Sequence, residues 1–548
     1  MGISPLFIAC QKNHIDIVKL LLKNKADINM GISSLYIACK NKHVDIVKLL
    51  LINNADTNKC TKWNSLPLDI ACQENHEAIV QLLLENKADI NNYNGYAMFP
   101  LYVACQNNHI GIVKLLLDYK ADTNKSMIDG TSPLLIACQM EHLNVVKMLL
   151  DNSVEINTCK INGTSPLYIA CQKGDINIVK LLLDNKADIN KCRIDGTSLL
   201  YVACQMEHFD IVKLLLDKKA DINTFKNNGT SLLYIACLKG DVDIVKLLLD
   251  NKADINKCNN EGTSPLCIAC QENYVDIVRM LLDNNVDIDK CTDDGVSPLF
   301  IACQQNHADV IKLLLDKKAD INTCKNNGTS PLYIACQKGD VDIVKLLLTN
   351  KADINVCRED GESPMFIACL ENHVNTVKLL LDNKADINKC RYTGSSPLYI
   401  ACQHDYVDKV KLLLDNKADI NKCNDEGTSP LFMACQENYV DIVRLLLDNN
   451  VDIDKCTDDG LSPLFIACQQ DNLDIVKLLL DNKADVNKCN DEGTSPLFIA
   501  CQENYIDIVK LLLDNNVDID KCTDTTVYCL SAESCRCSKT VALQQGRR

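Results

Sequence analysis

The dipeptide Ala-Cys recurs through this chain at a nearly constant spacing. Its cysteine stands at sixteen positions, from Cys10 and Cys39 to Cys501, and fourteen of the fifteen intervals are 33 residues, the first being 29. A fixed period of about 33 residues is typical of stacked-repeat solenoids, in which each unit packs only on its neighbours. The spacing therefore predicts a repeat array and argues against a single globular core.

The period also predicts the domain organisation. The length of 548 residues would by itself suggest several domains, but no linker interrupts the repeats. We expect residues 1–522 to form one continuous array of about sixteen repeats. Residues 523–548 fit no repeat, which predicts a divergent tail that is disordered or an artefact of the gene model. Neither end shows a polar capping repeat, which favours a fragment or an incomplete gene model.

Residues 162–192 illustrate one repeat, whose first half is predicted to be a short helix. Ser165 can cap a helix that starts at Pro166, and all thirteen prolines of the chain occupy this slot. Cys171 lies on the apolar face of this short helix. Gly174 predicts a left-handed end to the helix, and many other repeats carry asparagine there.

The second half of the repeat reads as another helix. Asp175 can cap it, Ile178 begins its apolar stripe, and Lys180 points towards solvent. Residues 187–191 then predict an extended arm, and a tight turn follows at 195–196. Each repeat is thus expected to be a turn and two antiparallel helices that bury their apolar faces against adjacent repeats.

These residues closely resemble the ankyrin repeat. The family's Thr-Pro-Leu-His-x-Ala-Ala is matched by residues 165–171, its Ile-Val-x-Leu-Leu-Leu by 178–183, and its Gly-Ala-Asp-Val-Asn by 186–190. The resemblance implies an all-α solenoid of helix–turn–helix units with β-hairpin-like turns. Lys186 stands where the family has glycine, so either that turn is rebuilt or the lysine carries a strain of roughly 1 kcal/mol.

The spacing of the thirty-two cysteines does not indicate a disulfide scaffold. Sixteen lie in the helical Ala-Cys slot and twelve just before the turn. Equivalent cysteines of adjacent repeats would be roughly 8–10 Å apart, whereas a disulfide needs Cα atoms within about 7 Å. We predict free thiols that pack as small apolar residues. Cys267 and Cys270 are interpreted as packing, and the alternative of a zinc site in the tail rests on Cys529, Cys535 and Cys537.

Nothing in the sequence predicts catalysis. Eight of the nine histidines, from His14 to His373, share one slot between the two helices, which favours a structural capping role. The sequons at Asn162, Asn228 and Asn327 are interpreted as turns. The chain carries no phosphate loop, dinucleotide fingerprint or His-Glu-x-x-His motif. We therefore expect no enzyme activity, no catalytic residue, no cofactor and no metal site.

Charge and hydropathy restrict the partners and the compartment. A net charge of −16 argues against nucleic acid as a partner. No run of eighteen apolar residues is present, which argues against direct membrane insertion. The first residues do not read as a secretory signal, so we expect a cytoplasmic protein, with the nucleus as the alternative.

The resemblance implies a protein-binding scaffold or adaptor. Its partner, a protein or peptide, would lie along a concave groove lined by the turn tips and the exposed ends of the first helices. Two alternatives are the recognition array of a larger enzyme or channel whose other domains are missing from this chain, and an elastic or architectural role. Residues in the groove positions vary between repeats while the core does not, and the candidate partner-binding residues are Arg193, Ile194, Gln205, Met206, Lys226, Arg358, Glu359, Arg391 and Tyr392.

Overall fold

A computed structural model describes residues 4–30, 33–61, 64–93 and 98–519. These residues form thirty-two α-helices and no strand, with a single antiparallel bridge between Phe225 and Ser231. The all-α prediction is therefore confirmed. The chain divides into two compact units, Met1–Ile268 and Ala269–Arg548. The tail 523–548, with its three candidate zinc ligands, lies outside the described residues, and the continuous array over 1–522 stays a prediction.

The helices come in pairs, an odd-numbered first helix and an even-numbered second helix in each repeat. The first unit contains α1 (Pro5–Gln11), α2 (Ile15–Lys23), α3 (Ser34–Lys40), α4 (Val44–Ile52), α5 (Pro67–Gln73), α6 (Glu77–Glu85), α7 (Pro100–Gln106), α8 (Ile110–Asp118), α9 (Pro133–Gln139), α10 (Leu143–Leu150), α11 (Pro166–Lys173), α12 (Ile176–Asp184), α13 (Leu199–Gln205), α14 (Phe209–Asp217), α15 (Leu232–Lys239) and α16 (Val242–Asp250). The boundary between the units falls inside α17 (Pro265–Gln271).

The second unit repeats the same pairing. It contains α18 (Val275–Asp283), α19 (Pro298–Gln305), α20 (Ala308–Asp316), α21 (Pro331–Lys338), α22 (Val341–Thr349), α23 (Pro364–Leu370), α24 (Val374–Asp382), α25 (Pro397–Gln403), α26 (Val407–Asp415), α27 (Pro430–Gln436), α28 (Val440–Asp448), α29 (Pro463–Gln469), α30 (Leu473–Asp481), α31 (Pro496–Gln502) and α32 (Ile506–Asp514). Within each unit, first helices pack on first helices of adjacent repeats and on their own second helix.

Local signals place the helix ends where the sequence predicts them. The Ser165 hydroxyl accepts a hydrogen bond from the Tyr168 amide at 3.1 Å, and Pro166 begins α11. Gly174 ends α11 with φ 86°. Asparagine takes the same left-handed conformation in other repeats, as at Asn13 with φ 60°. The Asp175 carboxylate then caps α12 by accepting from the Asn177 amide at 2.9 Å.

The segment after the second helix differs in part from the prediction. Lys186 has φ 68°, so the closing turn is not rebuilt and the lysine adopts the left-handed conformation that glycine takes in the family. Residues 187–191 are not an extended arm, because a turn forms at 189–190. The Asp188 carboxylate accepts from the Asn190 amide at 3.0 Å, an interaction that favours a turn over extended backbone.

The core of each unit is a column of small and branched side chains. Cys171, Ile178, Val179 and Leu182 are each 0 % exposed, and the same slots are buried in the neighbouring repeats. Burial raises the pKa of the Cys171 thiol, which keeps the sulfur protonated and unreactive. The helical cysteines thus behave as packing residues, as the sequence predicts.

The histidines have a structural role that differs from capping. Each precedes a second helix, yet none of their side chains caps that helix. The ring instead donates to a carbonyl at the end of the first helix of the preceding repeat, as His109 Nδ1 does to Cys72 O at 2.8 Å. The Cys72 carbonyl otherwise accepts only long bonds from the residues that end its helix, such as the Asn75 amide at 3.4 Å, so the histidine adds a short bond where helix carbonyls lack good partners. Nδ1 makes the same bond to a cysteine carbonyl at His43, His76 and His142. In His208, His307 and His373, Nε2 instead donates to the carbonyl of the glutamine that follows that cysteine, at 3.0–3.3 Å.

Candidate functional site

Within each unit, the turn tips and the residues that follow each Ala-Cys pair form the surface that we call the groove face. At one tip the Arg193 amide donates to Thr197 O and the Gly196 amide to Arg193 O, both at 3.0 Å. Successive tips are also joined, since the Ile194 amide donates to Asn162 O at 3.2 Å. Within a unit, these bonds hold the tip side chains in a regular row.

Glycine is required where successive tips approach each other. Gly196 has φ 79°, and a Cβ atom there would lie 2.7 Å from Asn227 Oδ1 of the next tip. A larger residue would therefore be strained by the positive φ and would displace the Asn227 side chain. The turn that the sequence predicts at 195–196 thus needs glycine at its second position.

The candidate residues of the first unit lie on this surface. Ile194 is 72 % exposed and Met206 is 45 % exposed, and Gln205 is also exposed. The two cations are partly covered, because Arg193 lies over the Tyr168 ring at 5.4 Å and Lys226 lies over the Tyr201 ring at 5.7 Å. In these two cases the aromatic side chain of a first helix lies beneath the tip cation of the next repeat.

Sequence reasoning missed two members of the same row. Ile128 is 85 % exposed and Ile161 is 73 % exposed, and each stands 33 residues from the next in the slot of Ile194. We call Ile128, Ile161 and Ile194 the isoleucine ladder. An isoleucine at three consecutive tips is a signal that the period could have revealed. Exposed apolar side chains that are grouped on one surface commonly mark interaction sites.

The candidate residues of the second unit surround a buried carboxylate. Glu362 Oε2 accepts from the Tyr333 hydroxyl at 2.6 Å and pairs with Arg358 Nη1 at 3.0 Å. Arg391 Nε lies 3.5 Å from Glu362 Oε1. Glu362 is only 5 % exposed, so both arginines balance a charge that water does not reach.

This network assigns the two arginines a structural role in addition to any binding role. Reversing the charge of Arg358 or Arg391 would leave Glu362 beside a like charge in a buried site, which is strongly destabilising. The exposed candidates of this unit are Glu359 and Tyr392, and the Tyr392 side chain is 74 % exposed. Variants of the isoleucine ladder therefore test binding more cleanly than variants of these arginines.

The described residues also contain two hollows on the first unit. One of about 600 Å³ is lined by Tyr36, Asp69 and Met140 among others. Another of about 200 Å³ lies beside Phe225 and Lys257.

Neither a metal-binding cluster nor a membrane-spanning helix is present among the described residues. No group of three or more His, Cys, Asp or Glu side chains there could hold a metal ion. No helix in the same part of the chain is long and apolar enough to cross a bilayer.

Comparison with known proteins agrees with the geometry. A family model described as ankyrin repeats, in three copies, matches the chain in overlapping segments. No curated protein matches the chain. The matched segments are residues 6–94, 68–160, 152–226, 224–292, 284–357, 350–424, 387–458, 410–489, 431–523 and 482–542.

Proposed function

Since this chain belongs to the ankyrin repeat family, whose repeats are in general protein-interaction modules, we propose that it is a non-catalytic scaffold or adaptor that binds a protein or peptide along the groove face. The observation that carries the proposal is the isoleucine ladder. Three isoleucines at consecutive tips are 72–85 % exposed to water. Burial of these apolar side chains is favourable, and at the tips only a bound partner can bury them.

Physical considerations favour a polypeptide partner. The ladder repeats at the spacing of the repeats, so one extended or helical segment can contact all three side chains. Burying one isoleucine side chain contributes about 1.5–3 kcal/mol. The tips are already ordered by backbone bonds, as between Ile194 and Asn162, so little conformational entropy is lost when the partner binds.

A photocross-linking experiment tests this assignment. A photoreactive amino acid is placed at Ile161, and in a matched control at Ile52, which is 78 % exposed at the end of α4 on a second helix. After irradiation in the source cells, we expect a defined polypeptide adduct from position 161 and none from position 52. Equal labelling from both positions, or none from 161, would contradict the groove assignment.

The cross-linked polypeptide then allows a quantitative test. Ile128→Ser and Ile161→Ser should each weaken its binding about tenfold, because each removes an apolar contact. Ile52→Ser should leave the affinity unchanged, and all three variants should keep the native melting temperature. A partner that binds the Ile161→Ser variant as tightly as the native chain does not use the ladder.

A further inference from the structure

One first helix carries a charged residue where the others carry an aromatic or another uncharged side chain. Asp69 lies in α5 three residues before the Ala-Cys cysteine, the slot of Tyr36 in the preceding repeat and Tyr102 in the next. None of the other fifteen repeats has a charged residue in this slot. The shorter side chain leaves space on the groove face that a tyrosine would fill.

That space is the hollow of about 600 Å³. Its volume falls within the range of about 300–1,000 Å³ that is usual for binding sites of small molecules. The wall of the hollow is apolar or aromatic at Tyr36, Ile70, Met98 and Met140, and Gln73 adds an amide group. The described residues that line the hollow include Asp69 and Glu74 as acids but no lysine and no arginine.

The Asp69 carboxylate is buried and incompletely bonded. The residue is 4 % exposed, and its Oδ2 accepts from the Leu66 amide at a long 3.4 Å. Its Oδ1 is buried with no hydrogen-bond partner among the described residues. A buried carboxylate oxygen without a donor is costly, so this arrangement is incomplete as it stands.

The second unit shows what a completed arrangement looks like. Glu362 is equally buried, but it accepts from the Tyr333 hydroxyl and pairs with both Arg358 and Arg391. Among the described residues, no cation pairs with Asp69. The two carboxylates therefore differ in that Glu362 is neutralised by arginines of its own chain, whereas Asp69 has no such described partner.

We propose that the hollow binds the side chain of an arginine or lysine from a polypeptide that lies on the groove face. The apolar wall of the hollow suits the methylene stem of the bound side chain. Polarisable contacts come from Tyr36 and the two methionines, and the charged end of the bound side chain meets Asp69 and Glu74. Asp69 itself lines the hollow, so its carboxylate is placed to meet that charge. The inference rests on the proposed function, since the cation belongs to the bound partner.

The electrostatics of Asp69 agree with this assignment. Burial raises the pKa of the Asp69 carboxyl from its ordinary value of 3.8 to about 7. The group is thus only partly charged at neutral pH when no cation is present. A bound guanidinium or ammonium favours the charged form, and the pair then resembles the one that Glu362 makes within the chain.

Methyl NMR of the full chain with ¹³C-labelled methionine tests the proposal directly. Met98 and Met140 line the hollow, whereas Met206 and Met365 do not. The probe is N-acetyl-arginine methylamide, and the control compound is its uncharged analogue N-acetyl-citrulline methylamide. We expect the arginine probe to shift the Met98 and Met140 signals and to bind about tenfold more tightly than the citrulline compound, since a bond to a charged group contributes more than a neutral one.

Three variants make the result decisive. Asp69→Asn should reduce the preference for arginine to less than about twofold. Asp69→Tyr restores the aromatic of the neighbouring repeats, should fold at least as well as the native chain, and should abolish the shifts by filling the hollow. Glu437→Gln, which changes an exposed acid in the slot of Glu74 but in the second unit, should leave binding unchanged.

Two outcomes would overturn the inference, namely equal binding of the two compounds to the native chain, or an arginine preference that survives Asp69→Asn. Either could occur while the isoleucine ladder still binds a partner, so the proposed function would stand. Conversely, an arginine preference that depends on Asp69, without any cross-link at position 161, would support the hollow and count against the groove partner.

Discussion

Replacing Lys409 with isoleucine should stabilise the second unit at neutral pH. Lys409 is 0 % exposed in α26, in the slot that holds Ile178 or Ile442 in other repeats. Its Nζ donates to Cys369 O and lies 3.5 Å from the centroid of the Tyr406 ring. Tyr406 occupies the histidine slot, so the lysine takes over the carbonyl bond that a histidine makes elsewhere.

The magnitude follows from the two opposing effects of Lys409. Burial lowers the pKa of its ammonium from 10.5 to about 8, which corresponds to a cost of about 3 kcal/mol for the charged form. Isoleucine removes that cost but leaves Cys369 O without its donor, a loss of about 1–2 kcal/mol. We therefore expect Lys409→Ile to raise the free energy of unfolding by about 1–2 kcal/mol at pH 7.

The pH dependence separates this explanation from a general packing effect. Below about pH 8, Lys409 is charged in both the folded and unfolded chains, and the native protein bears the full cost. Between about 8 and 10.5 the folded chain loses the proton first, so native stability rises with pH. The advantage of the variant should then shrink by about 1.4 kcal/mol per pH unit and disappear above pH 9.

The assay is urea unfolding followed by circular dichroism at pH 7, 8 and 9, with hydrogen exchange of α24 and α26 at pH 7 to localise the effect. Lys411→Ile is the matched control, because Lys411 is exposed on the same helix and should give a small difference at every pH. If Lys409→Ile lowers stability at pH 7, the bonds to Cys369 and Tyr406 outweigh the burial of the charge and the reasoning is refuted.

Three further predictions follow from single slots. Lys186→Gly should stabilise the array by up to about 1 kcal/mol, because Lys186 has φ 68°, a conformation that glycine adopts without strain. The control Lys180→Gly, in the interior of α12, should destabilise the array by a similar amount, and the urea midpoint measures both effects. Thr376→Val should add about 1–2 kcal/mol in the same assay, because Thr376 Oγ1 is buried and has no hydrogen-bond partner in the part of the chain that the structure describes; a loss of stability would show an unrecognised bond. Thiol titration in denaturant without reductant should return all thirty-two cysteines, and recovery of intramolecular bridges would contradict the expected ladder spacing.

Much of the groove face could be predicted from residue spacing. Ile194, Met206 and Tyr392 were predicted from their slots and are well exposed in the structure. The same spacing would have revealed Ile128 and Ile161. Their roles as partner contacts stay a prediction, as does the cytoplasmic location.

The site features that spacing could not predict depend on contacts between repeats. The sequence does not show that Arg358 and Arg391 share one carboxylate, because Glu362 occupies a slot that usually holds threonine. Nor does it show which acid lacks a partner. Asp69 and Glu362 are both single departures from the repeat pattern, and only their surroundings separate a paired carboxylate from an unpaired one.

The sequence by itself determined the repeat, its two helices and their ends. Pro166, Gly174 and the Ala-Cys pair act within one helix or one turn, and the period copies their effect along the chain. Only the tertiary structure decided which groups meet across repeats, such as His109 with the Cys72 carbonyl and the Asp69 carboxylate with its hollow. The physical reason is that capping and backbone conformation are local, whereas the pairing of a buried polar group depends on the reach of side chains some 30–40 residues away.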